Sequence, residues 1–201
     1  MRIGIIGSGA VGRALARGLQ RHGHETRIGT RKEQVEGLPV GTPSEVAADA
    51  DLVFLAVQGA AAVEVAGELA GDLTGKVLVD TTNPLDFSSG APGLFVGHTD
   101  SLGERVQLAV PRTEVVKAYN TVGNPLMVDP DLPGGPPTMF IAGNSEHGKG
   151  MVAELLTATG WEVADLGGIE ASRYLEAMCL AWVLAVRASG NPDQAFKLLR
   201  R

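Results

Sequence analysis

The sequence predicts an α/β fold organised on a doubly wound, mostly parallel sheet. Three observations predict it. Short apolar, β-branched runs alternate with helix-like stretches along the whole chain, the pattern of repeated βαβ units. The central runs, such as Leu52-Val53-Phe54-Leu55-Ala56-Val57, are apolar throughout, as strands covered by helices on both faces must be. The chain also opens with an apolar strand, a glycine turn and an amphipathic helix in immediate succession.

In chain order, the candidate strands are Arg2–Ile6, Glu25–Ile28, Leu52–Val57, Lys76–Asp80, Glu114–Tyr119, Thr138–Ala142 and Glu162–Asp165. The candidate helices are Ala10–Arg21, Ser44–Ala48, Ala60–Ala70, Ser101–Ala109, Glu146–Thr159 and Ile169–Ala188. Two irregular stretches, Thr82–Thr99 and Asn120–Pro137, are rich in Pro, Gly and Asn and read as loops. Both follow the ends of candidate parallel strands, where ligands of doubly wound sheets bind. The uninterrupted apolar run Ala177–Val186 falls well short of the roughly 20 residues a membrane span needs, and reads as a buried helix. The too-many-sided apolar pattern of Leu175, Met178, Cys179, Trp182, Leu184 and Val186 suits burial within the monomer or against a second subunit.

With 201 residues, the chain suits one compact domain with a short appendage. Residues 1–166 are expected to form a nucleotide-binding domain. Residues 167–201 are expected to form a C-terminal helical segment packing on it or on a partner subunit. A net charge of −6 gives no support to nucleic acid or an anionic membrane as partner. A single cysteine, Cys179, rules out an internal disulfide and a cysteine metal cluster, and fits a reducing, cytoplasmic setting. The opening Met1–Ile6 runs straight into glycines without a cleavage pattern, so no signal peptide is expected.

The segment Ile6-Gly7-Ser8-Gly9-Ala10-Val11-Gly12 carries the GxGxxG spacing of a Rossmann-type fold. Gly7 makes the tight turn, Gly9 leaves room for a pyrophosphate, and Gly12 lets helix and strand pack closely. The helix amides of that segment then face the phosphates. At the end of the second strand, NAD-binding domains place a carboxylate for the ribose hydroxyl. This chain has Thr30, Arg31 and Lys32 there instead. A hydroxyl, a guanidinium and an ammonium suit a 2′-phosphate, which predicts NADP rather than NAD. By topology, Ala56, Val57 and Gln58 after the third long strand, and Asn83 and Pro84 after the fourth, should lie near the nicotinamide half. Asn83 is the best polar candidate there, although an Asx turn before proline explains it equally well.

No acid–base set stands out. Lys117 and Tyr119 are two residues apart on one candidate strand, so they should share a face and reach a site at its end. His22, His24, His98 and His147 read as surface residues, and no catalytic residue is assigned. Hydride exchange with a flavin-like ring needs proximity and orientation more than a side-chain acid.

The motifs RIGIIGSGAVGRALARGL, GTRK, GKVLVDTTNPL, VVKAYNTV, MFIAGNSE and DLGGIEASRYLEAM occur in this order over nearly the whole chain. Together they resemble the coenzyme F420-dependent NADP oxidoreductase family. That resemblance implies an oxidoreductase exchanging a hydride between NADPH and the deazaflavin coenzyme F420. It places NADP on Gly7, Ser8, Gly9, Ala10, Val11, Gly12, Thr30, Arg31 and Lys32. It also implies that Asn120, Thr121 and Val122 help hold the deazaflavin, and that the chain forms a homodimer. A flavin, quinone or small carbonyl acceptor, and a non-catalytic NADP(H) sensor, remain the alternatives.

Overall fold

In the computed structural model, which describes residues 1–200, eight strands form one twisted sheet in the order β10-β9-β8-β5-β4-β1-β2-β3. The strands are β1 Arg2–Ile6, β2 Glu25–Gly29, β3 Val40–Gly41, β4 Leu52–Leu55, β5 Val77–Asp80, β8 Glu114–Lys117, β9 Thr138–Gly143 and β10 Glu162–Asp165. All neighbouring pairs are parallel except β8 and β9, which run antiparallel. The chain winds outward from β1 in both directions, so strand order reverses between β1 and β4. A crevice must open there at the carboxyl ends of the strands.

Helices cover both faces. They are α1 Ala10–Arg21, α2 Pro43–Asp49, α3 Gly59–Glu68, α4 Leu102–Ala109, α5 Glu146–Ala158 and α6 Ser172–Ser189. Alternate strand residues feed two cores. Ile3, Ile5, Phe54 and Val79 pack with Leu15 and Leu19 of α1 and Val152 and Leu155 of α5. Ile6, Val53, Leu55 and Leu78 pack with Val46 of α2, Ala62 and Ala66 of α3, and Val106 of α4. The strands are therefore apolar at every position because each successive side chain enters a different core.

Several sequence expectations need correction. The strand expected to reach Val57 ends at Leu55, and the one expected to reach Tyr119 ends at Lys117. Tyr119 takes φ 60°, which swings its ring onto the α1–α5 side, where it meets Phe54 edge to face at 5.6 Å. Lys117 stays on the opposite side, with α4 and α6, so the two residues do not share a face. The loop Thr82–Thr99 contains a small hairpin of β6 Leu85–Asp86 and β7 Gly93–Leu94, and Asn120–Pro137 contains a 3₁₀ turn at Asn124–Leu126. The final helix is preceded by its own 3₁₀ turn at Ile169–Ala171.

The expectation that Ala177–Val186 is buried fails along one side. Leu175, Glu176 and Cys179 face inward, whereas Ala177, Ala181, Leu184 and Ala185 are exposed. Leu175 packs with Ala142 and Ala171, Trp182 Nε1 donates to the Gln194 carbonyl at 2.8 Å, and among the described residues the row Ala177, Ala181, Leu184 and Ala185 is left uncovered. The expected C-terminal segment extends to Arg201, which lies outside the described residues. Among the described residues, no helix is long and apolar enough to cross a membrane.

Candidate functional site

The glycine turn is shaped by backbone contacts. Gly7 has φ 123°, and a Cβ there would overlap the Ala56 carbonyl oxygen. A Cβ on Gly12 would overlap the Gly7 carbonyl oxygen, so that glycine lets the first turn of α1 sit against the strand exit. Gly9 differs: a Cβ there meets nothing within 4 Å, so its bareness serves no contact inside the protein. Gly7 N–H donates to Gly29 C=O at 3.0 Å, tying the turn to the end of β2.

The helix N-termini divide into two kinds. Thr42, Ser101 and Ser145 cap α2, α4 and α5 with side-chain oxygens, and each of those helices has an acidic residue in its first turn. The start of α6, which continues a 3₁₀ turn, has neither a side-chain cap nor an acidic first turn, and the same holds for the starts of α1 and α3, after Gly9 and Gln58. Both open at the crevice. Their orphan amides and positive dipole ends are left for an anion.

A cavity of about 330 Å³ occupies the crevice, bordered by Gly7, Ser8, Thr30, Arg31, Val57 and Ala61 among others. The Thr30 hydroxyl donates to Ser8 Oγ at 3.1 Å, and Lys32 N–H donates to Thr30 Oγ1 at 3.2 Å. Arg31 and Lys32 are exposed. Among the described residues neither forms an ion pair, whereas Arg2, Arg17, Arg27 and Arg173 each meet a carboxylate. Arg31 and the glycine turn at Gly7 and Ser8 share this cavity with an apolar wall of Val57, Ala61 and Leu69 and with the carboxylates Glu64 and Glu68, and Lys32 is next to Arg31 in the chain.

At the far side of the crevice, Asn83 and Asn120 form a reciprocal pair. Asn83 Nδ2 donates to the Asn120 carbonyl at 2.8 Å, and Asn120 Nδ2 donates to Asn83 Oδ1 at 3.1 Å and to the Leu175 carbonyl at 2.9 Å. A Cβ on Gly59 would overlap the Asn83 carbonyl, so α3 begins directly against this backbone. Asn83 is half-buried, while Pro84, Asn120, Thr121 and Val122 are buried. Ala56 is buried and bonds Ile6 C=O through its N–H at 2.8 Å, while Val57 borders the cavity.

Beneath this pair lies a charge network that sequence reasoning missed. Lys117 Nζ, fully buried, meets Asp80 Oδ2 at 3.0 Å and Glu176 Oε1 at 2.9 Å. Asp80 also accepts from the Thr82 N–H and hydroxyl, and Glu176 accepts from the Leu102 and Gly103 N–H groups at the start of α4. Burial opposes the Lys117 charge, but Asp80 and Glu176 outweigh it and hold the ammonium above its ordinary range. Burial raises the Tyr119 phenol and pushes the Cys179 thiol up to about 12. Neither Lys117 nor Tyr119 reaches a cleft, so the expectation that either could serve a substrate is withdrawn. His22 pairs with Asp129 and His147 with Glu114, both at the surface. Among the described residues no group of three His, Cys, Asp or Glu could hold a metal.

Comparisons with known proteins bear on the fold and the family. Residues 2–84 match the family model described as NADP oxidoreductase, coenzyme F420-dependent. A solved structure from Arthrobacter sp. FB24, provisionally named an F420-dependent NADP-reductase, is 37% identical, with 100% of each chain covered and a TM-score of 0.93. A hypothetical protein from Sinorhizobium meliloti is 29% identical over 86% of this chain and 87% of its own, with a TM-score of 0.72. The metalloreductase STEAP3 of Rattus norvegicus is 29% identical over 89% of this chain, which spans 36% of that protein's length. A pyrroline carboxylate reductase of Plasmodium falciparum, 16% identical over 94% of this chain and 67% of its own at a TM-score of 0.65, shares the fold.

Proposed function

We propose that this chain, which belongs to the coenzyme F420-dependent NADP oxidoreductase family, binds NADP(H) in the β1–β4 crevice and exchanges a hydride with a deazaflavin or related flavin-like ring. Membership makes it an NADP-dependent oxidoreductase; the acceptor and the residue roles are our reading. The observation that carries the reading is Arg31, unpaired among the described residues, on the wall of a cavity shared with Gly7 and Ser8 of the glycine turn, with exposed Lys32 next in the chain.

In this reading the amides of Gly9, Ala10, Val11 and Gly12 hold the diphosphate, and Gly7 and Ser8 shape the turn. Thr30, Arg31 and Lys32 hold the 2′-phosphate, and Val57 forms part of the apolar wall. Ala56, Gln58, Asn83 and Pro84 border the nicotinamide half. Asn120, Thr121 and Val122 fix the floor under the second ring, Asn120 by holding Asn83 in place. The bound nicotinamide supplies or takes the hydride. The protein supplies alignment, and no side-chain acid is needed for transfer between two such rings.

Calorimetric titration tests the cofactor. Arg31→Ala should weaken NADPH binding by about 10- to 100-fold, roughly 1.4 to 2.8 kcal/mol, while NADH binding changes little. Equal losses for both would overturn the assignment. NADPH oxidation with F420, FMN, FAD and menadione in parallel tests the acceptor. F420 should be fastest, and no turnover with any ring would end the hydride-transfer reading.

The exposed row Ala177, Ala181, Leu184 and Ala185 supports the homodimer, and the acidic charge with one buried cysteine supports a cytoplasmic setting. If α6 carries the dimer contact, Leu184→Glu should shift the mass measured by light scattering towards the monomer. An unchanged dimer would remove α6 from the interface.

A further inference from the structure

We infer that Arg13 is an additional specificity-determining cation for the 2′-phosphate, an inference that rests on the NADP reading above. Arg13 lies in the first turn of α1, and its side chain folds back so that Nη1 donates to the Ser8 carbonyl at 2.7 Å. It is part-buried, and among the described residues it forms no ion pair. Arg17, one turn further along α1, instead reaches over the segment that follows β2. It donates to the Glu36 carbonyl at 3.1 Å and meets the Glu36 carboxylate at 3.9 Å.

That contrast fixes the direction of this helix face. Residues four apart lie on one side of a helix. The face that carries Arg13 therefore continues into the one from which Arg17 reaches Glu36. Val35 of that segment packs in the same core as α1. Ser8 is the link, because its carbonyl takes Arg13 and its hydroxyl takes Thr30. Arg13 is thus joined through Ser8 to Thr30, which borders the cavity with Arg31.

A guanidinium offers five N–H donors, and here one meets a neutral carbonyl while no carboxylate balances the charge. Such a group beside a nucleotide crevice is prepared for a phosphate, which it can grip through two parallel bonds. A role limited to bracing the Ser8 carbonyl would need only one donor and no charge.

The test is calorimetric titration of NADPH, NADH and adenosine 2′,5′-bisphosphate against wild type, Arg13→Gln, Arg13→Lys and Arg31→Ala. Arg13→Gln keeps a donor for Ser8 and removes the charge. It should weaken NADPH and the bisphosphate by about tenfold and leave NADH nearly unchanged. Arg13→Lys should recover part of the loss, since it restores the charge without the planar fork. Equal losses for NADPH and NADH, or no loss, would overturn the role of Arg13. If Arg31→Ala still loses NADPH selectively in that case, the cofactor assignment stands without Arg13. A wild-type protein that binds NADH as tightly as NADPH would overturn the cofactor reading itself.

Discussion

Replacing Lys117 with methionine should lower the unfolding free energy by about 3–5 kcal/mol, read as a lower denaturation midpoint in urea. The ammonium is fully buried and lies 3.0 Å from Asp80 and 2.9 Å from Glu176. Removing it leaves two buried carboxylates facing one another across the vacated space. Their remaining donors soften the loss: Thr82 for Asp80, and the Leu102 and Gly103 amides for Glu176. The triple variant K117M/D80N/E176Q removes the charges together, and should regain at least about half the loss, because a neutral cluster of similar volume carries little desolvation penalty. Since a small domain has about 5–15 kcal/mol in total, the single variant will be marginal. A cost below about 1 kcal/mol would mean that the three groups are not the charged cluster described here.

The same cluster fixes a pH dependence. The folded Lys117 titrates above the ordinary lysine value of 10.5. A raised folded value means that the charged form is favoured by folding. Its contribution is whole below the ordinary value and is lost as pH rises through the folded one. Wild-type stability should therefore fall as pH rises from the ordinary lysine value of 10.5 through the folded one, and K117M should lack this component.

How much of this was legible in the sequence follows from which forces act locally. The βαβ order, the two-sided burial of the strands and the glycine turn are written in contiguous residues. Leu52–Leu55 and Val77–Asp80 stand where their apolar runs lie, and Thr30 and Arg31 border the crevice because they immediately follow β2. What was missed depends on distant partners. Lys117 read as a residue able to reach a site at its strand's end until the fold placed Asp80, 37 residues away, and Glu176 of the last helix around it. Tyr119 was assigned to the wrong side because alternation holds only while the strand continues, and a single positive φ ended it. The antiparallel β8–β9 pair and the two-residue strands have no periodicity to detect. The apolar run on α6 announced burial without saying against what, and among the described residues Ala177, Ala181, Leu184 and Ala185 stay exposed.

Gly9→Ala should leave the unliganded protein as stable as wild type and still lower NADPH affinity on the order of a hundredfold, near 2.7 kcal/mol. Its backbone has φ −71° and ψ −174°, an extended conformation that alanine adopts freely. An added Cβ touches no protein atom within 4 Å, so no packing penalty arises. The methyl projects instead into the space that a diphosphate must enter to meet the uncapped start of α1. Gly7→Ala is the contrasting variant. It combines φ 123° with an overlap on the Ala56 carbonyl, a backbone atom that cannot step aside, so thermal unfolding should reveal a loss without any ligand. Fold and function separate at two glycines of one motif, because one faces the protein and the other faces the cavity. If Gly9→Ala bound NADPH as tightly as wild type, the dinucleotide would not lie across this turn.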